Sequence, residues 1–142
     1  MAMAREEMDR MVDEHFQYEA NDDVDGVMAT LADDVEHEIV PSPFGLQTDK
    51  AGIRAYYELL FRCSRGQTAT PLRRYYGDDF VVDVTRSETY LDDGAPFLLD
   101  GMSGPIDVRL LHIFEFEDGK ISREEAWLDL AAIQRQLGAT VG

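Results

Sequence analysis

The segment HIFEFEDGKISREEAWLDLAAIQRQLG, residues 112–138, constrains the fold more than any other stretch of the chain. Apolar and polar residues alternate up to Asp118-Gly119 and resume after it, then give way to helical spacing. Asp-Gly between two such runs signals a two-residue type I′ turn, because both positions accept positive φ. With that turn each cross-strand pair sums to 237, so Phe116 faces Ile121, Phe114 faces Arg123, His112 faces Glu125, Leu110 faces Trp127 and Val108 faces Asp129. The register puts His112, Phe114, Trp127 and Asp129 on one face of a sheet. His112 and Asp129 are then roughly 13 Å apart along the strands, the distance of two ends of a cavity rather than of a hydrogen bond. Asp129 also stands directly before LAAIQRQL, where an aspartate caps a helix N-terminus for about 1 kcal/mol. Capping and proton transfer are both open roles for it.

The chain before this hairpin is helical first and strand-rich later. Met8, Met11, Val12, His15 and Phe16 recur at helical spacing, which predicts an amphipathic helix over 5–20. Asn21, Asp22 and Asp23 offer caps for a second helix with Val24, Val27, Met28 and Leu31 on its apolar face. VEHEIV, 35–40, alternates as a strand with Val35, His37 and Ile39 on one face. Asp49 caps a third helix whose stripe is Ile53, Tyr56, Tyr57, Leu60 and Phe61. Residues 64–70 read as a loop, and PLRRYY, FVVDVTRSETYL, VRLLHIFEF and ISREEAWL as strands. The expected class is α+β in a single domain spanning 1–142: three N-terminal helices on a highly curved, mainly antiparallel sheet, with a short C-terminal helix.

Charge and composition narrow the function. With 29 acidic against 13 basic residues the net charge is −16, which repels nucleic-acid phosphate and anionic lipid and argues against both as partners. The opening residues MAMAREEMDRM have no apolar signal core, and no apolar run is long enough to span a bilayer. The single cysteine, Cys63, forms no intrachain disulfide, so the expected setting is cytoplasmic. The histidines at 15, 37 and 112 lack a local metal spacing such as H-x-x-x-H, and no dinucleotide or phosphate-binding motif occurs, so neither metal nor cofactor is expected.

DVDGVMATLADDVEHEI, GIRAYY, HIFEFEDGKI and DLAAIQRQLG together resemble the nuclear transport factor 2-like superfamily, in particular the SnoaL-like polyketide cyclases and, more distantly, ketosteroid isomerase. The resemblance implies a cone-shaped fold with a pocket at its wide end, and commonly a homodimer. In the isomerase pattern a helix-one tyrosine and a protonated aspartic acid form the oxyanion hole; here those positions hold His15 and His112. The catalytic base of that pattern falls near Ile39 and is missing. By likeness to the cyclases, Asp129 matches the acid/base aspartate of the last strand.

The expectation is a cofactor-independent enzyme acting by acid–base catalysis on a hydrophobic carbonyl compound, as isomerase, cyclase or dehydratase. Asp129, His37 and His112 are its expected catalytic groups; His15, Phe16, Ile39, Tyr56, Phe114 and Trp127 are its expected substrate contacts. Two rivals stand beside it. A non-catalytic binding or dimerisation module would show no pair of titratable groups reaching a common ligand atom. An epoxide hydrolase would bring an arginine and two carboxylates together, with Asp107, Arg109, Arg86 and Glu88 as weak candidates.

Overall fold

The computed structural model describes residues 2–42 and 44–138. Helices α1 (Arg5–Ala20) and α2 (Val24–Ala29) come first, followed by strand β1 (Leu31–Val40), the short β2 (Leu46–Gln47) and helix α3 (Lys50–Cys63). Strands β3 (Ser64–Tyr76), β4 (Phe80–Leu91), β5 (Gly104–Glu117) and β6 (Lys120–Leu128) follow, and α4 (Leu130–Gln136) ends the described chain. A single turn of 3₁₀ helix, Ala95–Phe97, lies between β4 and β5. The sheet runs β2-β1-β6-β5-β4-β3, and every pairing is antiparallel except β1 with β6. This is the expected α+β architecture, with helices covering a curved, unclosed sheet. No helix among the described residues is long and apolar enough to cross a membrane.

The caps form where short polar side chains were available. Asp23 accepts from the Gly26 amide, Asp49 from Ala51 and Asp129 from Ala132, the last at 3.1 Å. Residues 64–70 are strand rather than loop: β3 begins directly after α3 and pairs with β4 through two register shifts. Their polar, glycine-containing sequence gives no burial pattern because residues 65–73 are exposed on both faces.

The decisive departure is in the β5–β6 hairpin. Asp118 and Gly119 both have positive φ, at 51° and 75°, as a type I′ turn requires. Glu117 pairs with Lys120 and Phe116 with Ile121, as the turn dictates, but the next rung joins Glu115 to Arg123. Ser122 is an extra residue, a β-bulge, and beyond it every side chain of β6 changes face. Phe114 therefore lies opposite Glu124, His112 opposite Ala126 and Leu111 opposite Trp127. Glu124 turns inward and is 1% exposed, while Trp127 turns outward and is 48% exposed. The expected inward face of Trp127 and Asp129 is thereby corrected.

Two apolar clusters result. One, formed by Met8, Val12, Val27, Ile53, Tyr57, Phe114 and neighbours, fills the end of the sheet under α1 and α3. The other packs α4, through Ala132, Ile133 and Leu137, against Leu91, Ile106 and Val108. Because Asp129 is exposed and caps α4, Asp129→Ala should cost about 1 kcal/mol in chemical denaturation, while Asp129→Asn, an equally good cap, should leave stability unchanged. Equal losses in both variants would show that the carboxylate, not the cap, stabilises this corner.

Candidate active site

Between the two clusters lies a mostly enclosed cavity of about 90 Å³. One ordered water needs ~10–15 Å³, so the space suits one small organic molecule. Its walls are largely apolar: Phe16, Ile39, Leu60, Phe61, Leu91, Phe97, Ile106, Val108 and Ile133 contribute. Among the described residues that line it, Gln67, on β3, is the one exposed, and so marks the mouth. The polar lining comes from Glu19, Tyr56, Tyr57, His112, Glu124 and the hydroxyls of Ser64, Thr85, Ser87 and Thr89.

The bulge places Glu124 at the centre of this polar set. Its Oε1 lies 2.9 Å from His15 Nε2, and the Tyr57 hydroxyl donates to both of its oxygens, at 2.7 and 2.8 Å. Proton positions follow from the donor inventory. The Thr30 hydroxyl donates to the Val27 carbonyl at 2.6 Å, so its oxygen accepts from His15 Nδ1–H at 2.8 Å. Tyr57 spends its proton on Glu124, so its oxygen accepts from His37 Nε2–H at 3.2 Å. That leaves His37 Nδ1 without a proton, and it is buried without a partner among the described residues.

The electrostatics agree with this pattern. Burial alone would lower the pKa of His15, but the Glu124 carboxylate outweighs it and raises the group to about 9. Burial would likewise raise Glu124, yet His15 holds it well below the ordinary carboxylate range. The two therefore form an imidazolium–carboxylate pair at neutral pH. Burial pushes Tyr57 and Tyr56 above their ordinary values, so both remain phenols. Burial lowers His37 and His112, which stay neutral despite the pull of Glu124. Burial lifts Glu19 to about 7, against the opposing attraction of His15.

The residues singled out in the sequence divide sharply. Phe16, Ile39, Tyr56 and His112 line the cavity. His15 is fully buried one layer behind it and reaches it through Glu124. His37 sits behind Tyr57 in the same way. Phe114 is core and supports His112, their rings stacked 5.4 Å apart and 7° from parallel. Trp127 is on the outer face, where its indole donates to Glu125 at 2.7 Å. Asp129 is exposed and lies outside the cavity, near Arg86, Arg109 and Arg135. Glu124 and Glu19 are absent from the residues expected on sequence grounds, although both line the cavity. Glu19 was legible: it lies three residues beyond Phe16, on the same side of the helix. Glu124 was hidden by the bulge.

An arginine with several carboxylates does occur, though not at the cavity. Arg74 contacts Asp83 at 2.9 Å, Asp9 at 2.8 Å and Asp13 at 2.9 Å, tying β3 and β4 to α1. Neither Arg74 nor Asp83 lines the cavity, but two lining residues touch this cluster: Thr85 donates to Asp83, and His112 is the cross-strand partner of Asp83. Arg86 pairs with Asp107 at 2.6 Å on the exposed face.

A family model for the SnoaL-like domain matches residues 12–124, which contain α1 from Val12 onward, the bulge and Glu124. The chain belongs to the SnoaL-like family, within the nuclear transport factor 2-like superfamily. Solved structures share its fold. A protein of Jannaschia sp. CCS1 named for the SnoaL-like polyketide cyclases matches with a TM-score of 0.82 at 15% identity, over 99% of each chain. TsrD from Streptomyces laurentii matches at 0.81 and 19% identity, over 97% of this chain and 99% of its own. An LEH-like epoxide hydrolase of M. tuberculosis matches at 0.70 and 18% identity, over 92% of this chain and 89% of its own. No curated protein matches the chain in sequence. At these identities the likeness establishes the SnoaL-like fold and leaves the chemistry to the site.

The Glu19 carboxyl gives a sign-specific prediction. Its folded pKa, about 7, exceeds the ordinary 4.5, so the folded state binds the extra proton in that window. The stability it contributes is complete below pH 4.5 and is lost as pH rises to about 7. Glu19→Gln removes this dependence. In urea titrations the variant should match the wild type at pH 4.5 and exceed it by on the order of 2 kcal/mol at pH 8. A constant difference across this range would contradict the assignment.

Proposed function

We propose that this SnoaL-like protein is a cofactor-independent enzyme that moves a proton next to a carbonyl group of a small, largely apolar substrate. The outcome would be isomerisation, cyclisation or dehydration. The observation that carries the proposal is a buried charge pair, in which Glu124 lines an apolar cavity and His15 stands behind it, beside an unpartnered neutral imidazole, His112, that lines the same cavity.

His112 is the base in this reading. It lines the cavity, and burial keeps it neutral and able to accept a proton. Glu124 favours the imidazolium that forms, since its charge acts to raise the pKa of His112. Glu124 itself is a poor base, because His15 and Tyr57 occupy its oxygens. Tyr56 lines the same cavity with a hydroxyl that has no hydrogen-bond partner among the described residues. In this reading it would donate to a developing enolate oxygen, the preorganised stabilisation on which such steps depend. Phe16 and Ile39 would shape the substrate's position, and Phe114 would hold the His112 ring plane.

The epoxide hydrolase alternative requires arginine and carboxylates at the cavity, and the Arg74 cluster lies outside it. The binding-module alternative loses ground to the presence of both a base and a donor in one cavity. For assembly, we propose a homodimer through the outer sheet face. There Tyr75, Val82 and Ile113 form one cross-strand row and Val84, Leu111 and Trp127 the next.

Two measurements test these readings. Small cyclic ketones incubated with the protein in D₂O should exchange their α-protons, followed by NMR. His112→Ala should slow that exchange by roughly 10²–10⁴-fold, the range of general-base contributions. Absence of exchange in every ketone that binds would refute catalysis of this type. For assembly, light scattering should give twice the 16.1 kDa chain mass, and Trp127→Glu should give one chain mass. A monomeric wild type would refute the dimer.

A further inference from the structure

The cavity holds more negative charge than the protein neutralises. Glu19, in the last turn of α1, lines it alongside Glu124. Its side chain is 13% exposed and makes no hydrogen bond among the described residues. The one cation in reach is His15, whose Nε2 lies 2.9 Å from Glu124 but 3.9 Å from Glu19. The other groups facing Glu19 are Tyr56 and Tyr57 from α3 and Glu124 from β6, and none of these supplies a positive charge. His112 on β5 is neutral, and no lysine or arginine lines the cavity. One imidazolium thus serves two carboxylates in a space walled by apolar side chains. A buried carboxylate in that position needs either a proton or a cation.

The walls favour the cation. Phe16, Tyr56, Tyr57, Phe61 and Phe97 line the same cavity, and aromatic faces attract organic ammonium groups that lack strong hydration. The molecular charge of −16 raises the local concentration of cations at the surface and opposes the approach of anions.

We propose that the ligand of this cavity carries a positively charged nitrogen, seated between the Glu19 carboxylate and the aromatic walls. Its apolar remainder lies toward Leu91, Ile106 and Val108. The proposal rests on the reading of the cavity as a small-molecule site and narrows that reading to organic ammonium compounds.

The test compares choline with 3,3-dimethylbutan-1-ol, which has the same shape with carbon in place of the charged nitrogen. Calorimetric titration of the full chain at pH 8 should show choline binding about tenfold tighter than the alcohol. Glu19→Gln should erase that preference while keeping the affinity for the alcohol, which reports that the cavity is intact. Lowering the pH to about 5.5 protonates Glu19 and should weaken choline alone in the wild type, an arm that stands even where the variant fails to fold. Equal affinity for the two probes in the wild type, or a preference that survives in Glu19→Gln, overturns the proposal. Alcohol binding without choline binding overturns it while leaving the small-molecule cavity in place. Binding of neither probe removes both.

Discussion

The ion pair between Glu124 and His15 is the interaction around which the rest of the interior is organised. A charged pair this deep stands only when its remaining hydrogen-bonding capacity is filled, because both ions have lost their water. Thr30 fills one side of the imidazolium and Tyr57 the other side of the carboxylate. Each partner comes from a different element: α1, the α2–β1 junction, α3 and β6. The polar network therefore fixes how the helices sit on the sheet, and the cavity is the space left beside it. His37 joins through Tyr57, so four titratable groups are coupled through one carboxylate.

Most of the architecture could be read from the sequence, because local chemistry decided it. Asp49 and Asp129 cap helices as their positions required, and Asp118-Gly119 makes the expected turn. The stripes of α1 and α3 bury Met8, Val12, His15, Ile53 and Tyr57 as their spacing demanded. The exposed start of β3 was missed because a strand solvated on both faces carries no alternation to detect. The site was only partly legible, for one reason. A period of two makes a strand's facing depend on every residue before it, so the single extra Ser122 exchanged the roles of Glu124 and Glu125. Nothing in ISREEAW marks Ser122 as the bulged residue, since both adjacent glutamates suit an exposed face equally well. His112 kept its facing because it belongs to the strand before the turn and pairs without interruption with β4.

The two carboxylate systems that meet helix α1 do different work. Around Arg74, three aspartates meet one guanidinium and clamp α1 to the far strands. In the cavity, Glu19 and Glu124 share one imidazolium. The first arrangement is closed by direct contacts to every carboxylate and is structural. The second leaves Glu19 without a hydrogen bond among the described residues and is open toward a ligand.

Glu124 points inward, is ionised, and keeps His15 charged. Nitrogen-resolved NMR of the histidine side chains tests it most directly. Both nitrogens of His15 should remain protonated at pH 7.5 and the ring should titrate near 9, while His37 and His112 stay neutral there. A His15 ring that is neutral at pH 7.5, with a midpoint at or below its ordinary 6.5, would mean that no buried ion pair with Glu124 exists.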